Sequence, residues 1–431
     1  MLAFLGLLTI VLLLVLVMTK RASPVVALIM VPIVTALLGG FTSEIVTFIT
    51  DGIQSIASTA VMFVFAILFF GVLMDAGTFR PIIARLLKVA GHDPARITVV
   101  TAVLAMIVHL DGSGAVTFLV TIPAMLPLYD AMGMRRTTLA TTVALAAGTM
   151  NILPWGGPTI RAATALEVPV TELFNPLLVP VACGLITVLV IAYVLGVKER
   201  PLIKVPELTA PETNSYSEQP GSTLERPRLL WFNLLLVIVS IVVLIMALAP
   251  PHVIFMVAFA IAITVNYPNL TIQRERIDSH AKAALLMASI LFAAGCFTGI
   301  LKGSGMIGAM AEAAVAYIPA SVGNHLALIT GLVAMPASLL FDPDSFYFGI
   351  LPLLGTTATH FQGDALEVGR AAILGQMTTG FPVSPLTGAT FLLIGLTGVD
   401  LGDHQRKTIP LAFLVTMVML AVAVLIGVIS Y

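Results

Sequence analysis

Ten stretches of the chain run on apolar side chains for a bilayer's width or close to it: 2–19, 24–40, 55–75, 137–166, 176–196, 229–249, 252–267, 284–301, 366–396 and 409–430. A helix of about 20 residues crosses the hydrocarbon core of a bilayer. In that medium every backbone N–H and C=O must be satisfied inside the chain, so spans of this kind are helices. An all-α polytopic membrane protein is therefore expected. Composition agrees, with 59% apolar and only 10% charged residues, against roughly 25% charged in soluble domains. A net charge of −1 gives no basic footprint for nucleic acid. Cys183 and Cys296 each sit inside an apolar run and read as small core hydrophobes rather than a disulfide or metal pair.

Two further apolar stretches, 97–130 and 324–359, are interrupted halfway by polar, Gly- or Pro-bearing tips. They read as re-entrant hairpins that enter the membrane and leave on the same side. Met1 to Val17 has no basic residue ahead of it, and Lys20 and Arg21 follow it. That order suits a retained first span with its N-terminus outside better than a cleaved signal. From this start Lys20, Arg21, Arg80, Arg85, Lys88, Arg96, Arg135, Arg136, Lys198, Arg200, Lys204, Arg226, Arg228, Arg274, Arg276, Lys282, Arg406 and Lys407 fall on the cytoplasmic side. The outer side keeps Glu167, Glu172, the Pro250-Pro251-His252 turn, Lys302, Asp364, Glu367 and Arg370. The positive-inside rule is then satisfied. A multi-pass protein of a bacterial-type inner cell membrane is expected, with N-terminus and C-terminus both outside.

Residues 198–228 form the one long polar stretch, rich in Pro, Glu, Ser and Thr, and read as a cytoplasmic linker. It separates a first half, 1–197 with hairpin 97–130, from a second, 229–431 with hairpin 324–359. Each half holds five spans and one hairpin, and an odd number of spans turns the second half upside down. The halves echo each other in order: GVLMDAGTF (71–79) with GILKGSGMI (299–307), LDGSGAVTFLVTIPAMLPL (110–128) with FDPDSFYFGILPLL (341–354), and GTMNILPWGGPT (148–159) with GQMTTGFPVSPLTGAT (375–390). Two inverted repeats are a common plan of secondary transporters.

Helices are interrupted four times, at Asp111–Gly114, Asn151–Pro158, Asp342–Ser345 and Gly380–Pro385. Broken helix at membrane depth is tolerated only where it is buried in protein or lines a wet cavity. Half-helix N-termini there favour anions, and the opposite ends favour cations. Ionisable residues at that depth are costly and usually functional. Asp111, Asp342 and Asp344 stand on the two tips and are candidates for a metal or a proton. Arg161 follows the first broken helix and suits a bidentate bond to a carboxylate. Ser113, Gly114, Thr117, Asn151, Gly156, Gly157, Thr159, Ser345, Tyr347, Ser384 and Thr387 complete the candidate substrate site, with His109 as a candidate proton carrier.

Each residue also has a plainer reading. A tip aspartate can serve as a helix N-cap. Arg161 can pair with Glu167 as an anchor, and His109 can be a hydrogen-bonded interior histidine. Asp75 and Lys302 suit interfacial snorkelling. Trp155 and Tyr347 either shape a pocket or fill it.

At these tips and breaks the sequence resembles the citrate–divalent metal/proton symporters, the CitMHS family of the ion transporter superfamily. The resemblance rests on HLDGSG (109–114), NILPWGGPT (151–159) and FDPDSFYFGILP (341–352) and covers nearly the whole chain. Related families carry Ser-Asn-Thr at both tips, where sodium and substrate carboxylates bind. Here the positions read Asp-Gly-Ser (111–113) and Asp-Pro-Asp-Ser (342–345), a replacement compatible with proton coupling or contact with a divalent metal. The resemblance implies an elevator-type ion transporter fold and a homodimer. It also implies proton-coupled symport of a citrate–metal complex, with Mg²⁺ or Ca²⁺ as co-substrate, no resident cofactor and no enzymatic activity. Another anion, or Na⁺/H⁺ exchange, is the alternative on the same fold. An intramembrane aspartyl protease is the alternative of another class, suggested by Tyr129-Asp130 and Gly363-Asp364. It fails because Phe361 stands where the second motif needs glycine.

Overall fold

The computed structural model describes all residues except 20, 80, 82–84, 87–89, 203–223, 247, 317 and 431. Lys20, Arg80, Lys88 and Lys204 of the charge pattern, and most of linker 198–228, lie outside the described residues. Every regular element among the described residues is helical. The first half contains α1 (Leu2–Met18), α2 (Pro24–Leu38), α3 (Ile45–Asp75), α4 (Pro94–Val108), α5 (Gly114–Ala131), α6 (Arg136–Met150), α7 (Gly157–Leu166) and α8 (Leu178–Glu199). The second contains α9 (Leu230–Ile245), α10 (Pro251–Asn266), α11 (Leu270–Gly303), α12 (Met306–Val315), α13 (Leu326–Ala337), α14 (Leu351–His360), α15 (Ala365–Ile373), α16 (Gly388–Thr397) and α17 (Leu401–Leu425). Seven helical segments among the described residues are long and apolar enough to cross a membrane, and the shorter apolar helices fill in around them. The chain is thus an all-α, multi-pass membrane protein.

Several helices start where a short polar side chain caps them. Ser23 Oγ accepts from Val26 N ahead of Pro24, and Asp93 Oδ1 accepts from Ala95 N ahead of Pro94. Asn269 and Asp400 do the same for α11 and α17. Two helices outrun the apolar stretches that announced them. α3 begins at Ile45 rather than 55, and α11 at Leu270 rather than 284. The polar start of α11 is capped by Asn269, whereas α3 starts on the apolar turn 45–48 without a side-chain cap. The apolar runs 137–166 and 366–396 each divide into two short helices, α6 and α7, and α15 and α16. The connection after α11 carries the short helix α12, unannounced because ten residues are too few for a span.

Both interrupted stretches fold back on themselves. The start of α4 and the end of α5 lie at the same end of α8. Arg200 Nε and Nη2 donate to Asp93, and Arg135 Nε donates to Glu199 Oε1 at 2.8 Å. In the second half Gly323 and Phe361, which flank the stretch, pack against each other.

Equivalent helices of the two halves run in opposite directions. Asp75, ending α3, meets Arg276 and His280 near the start of α11, while Gly52 lies against Gly299 near its end. A Cβ on Gly299 would stand 2.8 Å from the Gly52 Cα, so only glycines allow the two helices this close. Gly184 near the start of α8 likewise meets Met419 near the end of α17. α1–α3 pack with α10–α12, while α4–α8 pack with α13–α17. The site lies between these two groups.

Candidate functional site

Both hairpin tips and both helix breaks converge on one cavity of about 1140 Å³. The first tip is made by a single 3-10 turn, His109–Asp111, and Gly112 at φ 74°. That left-handed backbone suits glycine and turns the chain into α5. Asp111 Oδ1 accepts from Ser113 N at 2.8 Å, and Ser113 Oγ caps α5. The second tip, Asp342–Asp344, leads into a π-helical turn, Ser345–Ile350. Asp342 Oδ2 accepts from Asp344 N and Ser345 N at 3.1 and 3.2 Å, while its buried Oδ1 has no partner among the described residues. Asp111 and Asp342 thus both bond to the backbone of their tips and both line the cavity, but neither is the N-cap. Ser113 holds that position for α5, and Asp344 holds it at the second tip without a side-chain cap bond.

The break after α6 spans 151–156, and that after α15 is wider than its Gly380–Pro385 motif, running from Leu374 to Thr387. The two cross where Asn151 Nδ2 donates to Met377 O at 2.7 Å. Beyond them α7 starts at Gly157 and α16 at Gly388, neither with a side-chain cap, and both starts line the cavity. These half-helices occupy matching places in the two halves and offer unsatisfied N–H groups to an anion.

Arg161 lies one turn into α7 and pairs with the second tip, its Nε donating to Asp344 Oδ1 at 2.7 Å. The expected alternative partner, Glu167, instead pairs with Lys302. Gly157 gives the guanidinium room, because a Cβ there would lie 2.8 Å from Arg161 Nη1. One basic group, three carboxylates and two uncapped helix starts thus share a wall. This arrangement suits an anion and a cation together better than either alone. Among the described residues no three His, Cys, Asp or Glu side chains group tightly enough to hold a metal. The three aspartates form no ready cage.

Of the candidate residues, Asp111, Ser113, Gly114, Asn151, Gly157, Arg161, Asp342, Asp344 and Thr387 line the cavity. The others stand behind its wall and hold it. His109 is buried, with Nε2 toward Asn151 Oδ1 at 3.4 Å and Nδ1 toward Thr117 Oγ1 at 2.8 Å, so both ring nitrogens face protein. Thr159 donates to Ile152 O in the first break, and Ser384 ties the second break to Ser338 O at the end of α13. Tyr347 donates to Gln376 O at 2.6 Å. Gly156 and Ser345 are buried away from the cavity. Trp155 lines it, stacked on Phe70 and donating from Nε1 to Leu110 O.

Sequence reasoning missed the facing wall, built by α3 and α11. Asp75 and His280 line the cavity there, and Asp75 Oδ2 accepts from His280 Nε2 at 2.9 Å and from Arg276 Nη1 at 3.2 Å. Asp75 pairs with Arg276 and His280, and Lys302 pairs with Glu167. The i, i+4 spacing of Arg276 and His280 was the available signal that both face one way.

The family profile described as citrate transporter, CitMHS, matches residues 13–375. The chain belongs to the CitMHS citrate transporter family. Two curated relatives from Bacillus subtilis (strain 168) match over their whole lengths. A citrate transporter is 45% identical over 432 residues, covering 100% of both chains. A Mg(2+)/citrate complex secondary transporter is 43% identical over 435 residues, covering 100% of this chain and 99% of its own. The fold is similar to the crystal structure of the Alcanivorax borkumensis YdaH transporter, with a TM-score of 0.63 at 14% identity over 90% of this chain and 89% of that one. CitMHS membership places the chain among transporters rather than enzymes.

Proposed function

We propose that the chain is a secondary active transporter that moves citrate, complexed with a divalent cation such as Mg²⁺ or Ca²⁺, together with protons. The observation that carries this reading is the shared wall of Arg161, Asp111, Asp342, Asp344 and the uncapped starts of α7 and α16. Three carboxylates repel a free tricarboxylate, whereas a metal bound to citrate cancels much of its charge before it meets them. The aspartates alone form no metal cage, so the ion's remaining ligands come from citrate itself. Citrate's free carboxylates then meet Arg161 and the helix starts. Protons on the tip carboxylates neutralise what remains, and Asp111 and Asp342 are the candidates, since Asp344 is held by Arg161.

The two halves act as inverted repeats about this site. In this reading the group α4–α8 with α13–α17 carries the site past α1–α3 and α10–α12 in an elevator movement, within a homodimer. Both termini lie outside, and the cavity opens toward the cytoplasm, where α3 ends at Asp75. The reading is tested by radiolabelled citrate uptake into proteoliposomes under an imposed pH gradient, with and without Mg²⁺, Ca²⁺ or Zn²⁺. Metal-dependent, gradient-driven uptake that is lost in Asp111→Asn supports it. Citrate uptake indifferent to metal and gradient, or none with any metal, sinks it.

A further inference from the structure

The cavity wall built by α3 and α11 holds a polar group that the binding wall does not use. His280 lies on α11 and Asp75 ends α3, so both belong to the wall that faces the tips. Their contact fixes the imidazole. His280 Nε2–H donates to Asp75 Oδ2 at 2.9 Å, and Arg276 Nη1 donates to the same oxygen from one turn earlier on α11. The other ring nitrogen, Nδ1, has no hydrogen-bond partner among the described residues and is not buried away. His280 lines the cavity with 23% of its side chain exposed. Gly71 makes the ring's place, because a Cβ there would lie 2.7 Å from three ring atoms. An oriented imidazole with one nitrogen spare, seated on a glycine in a cavity wall, is arranged to touch what passes.

We propose that His280 is a substrate-contact residue at one mouth of the pathway, bonding through Nδ1 to a polycarboxylate as it enters or leaves, with Asp75 and Gly71 as its positioning residues. This rests on the proposed transport of citrate. α11 carries His280 near one end and Lys302, paired with Glu167 of the facing group, about 33 Å farther along at 1.5 Å per residue. The contact therefore exists at one mouth only. Substrate arriving from the other side does not meet it on binding.

The test is citrate transport by right-side-out and inside-out vesicles of wild type, His280→Gln, His280→Ala and Gly71→Ala. Loss of one hydrogen bond raises the half-saturating concentration roughly five- to tenfold. This rise is expected in His280→Ala and Gly71→Ala, only from the mouth that carries His280, and with Gln at 280 giving partial rescue. An unchanged value from the opposite mouth shows that each variant is folded. Equal changes from both mouths, or none from either, overturn the contact while leaving citrate transport standing. No citrate transport by wild type overturns the proposed function and this contact with it.

Discussion

Asp344→Asn strands the Arg161 guanidinium beside two further carboxylates that do not reach it. The native pair joins α7 of the first half to the tip of the second at 2.7 Å, with 10% and 8% of the two side chains exposed. At that burial water does not replace a lost partner, and leaving one charge unpaired costs about 3–5 kcal/mol. Both side chains touch the cavity, which favours the lower end, ~3 kcal/mol. With an unfolding entropy of about 2.1 cal/mol/K per residue, the 431-residue chain loses roughly 3 °C in Tm. Cys296 is buried and Cys183 only partly so, so in a Cys183→Ala background a thiol-reactive fluorophore reports unfolding in detergent. The double variant Arg161→Met/Asp344→Leu strands no charge and recovers most of the lost stability, yet it transports no citrate. The reasoning fails if Asp344→Asn and Arg161→Gln both melt within about 1 °C of wild type, or if the double variant is no more stable than either.

Three other outcomes follow from the geometry and use the same melting assay. Gly299→Ala drives a methyl into the Gly52 backbone and lowers stability by about 1–3 kcal/mol, whereas Gly308→Ala, where a Cβ meets nothing within 4 Å, does not. Lys302→Ala changes stability by less than about 1 kcal/mol, because 66% of the lysine side chain is already exposed. The Arg200 hydrogen bonds hold the Asp93 carboxyl below its ordinary value of 3.8. A depressed carboxylate adds stability above its ordinary value and loses it as pH falls through the lowered one. The gap in Tm between wild type and Arg200→Ala is thus present at neutral pH and narrows as pH falls below 3.8 through the lowered value.

The spans and breaks were legible because the bilayer leaves few solutions. Twenty apolar residues have little choice but helix, and Gly, Pro and Asp at depth mark where a helix stops. The start of α11 was not legible because residues 270–283 are mostly polar, and that of α3 because Asp51 and Gln54 interrupt its apolar run. His280 and Arg276 owe their place to Asp75, about 200 positions away in the sequence, which no local pattern reports. The same limit hid the partner of Arg161, 183 positions distant. The hydroxyls of the breaks teach a different lesson. Thr159 and Ser384 looked like ligands because they stand at or beside the breaks, but their hydroxyls are spent on carbonyls, Ile152 O in the first break and Ser338 O at the end of α13. Only groups that the backbone leaves over and that face the cavity remain for cargo.

The most direct measurement follows metal and citrate together. Proteoliposomes are given doubly labelled substrate, ¹⁴C-citrate with ⁴⁵Ca²⁺, and both isotopes are counted in the same vesicles for wild type and for Asp111→Asn. The account predicts that metal and citrate enter in constant proportion in wild type and that the variant loses both. Citrate entering without the metal, or an Asp111→Asn variant that still carries the pair, would contradict it.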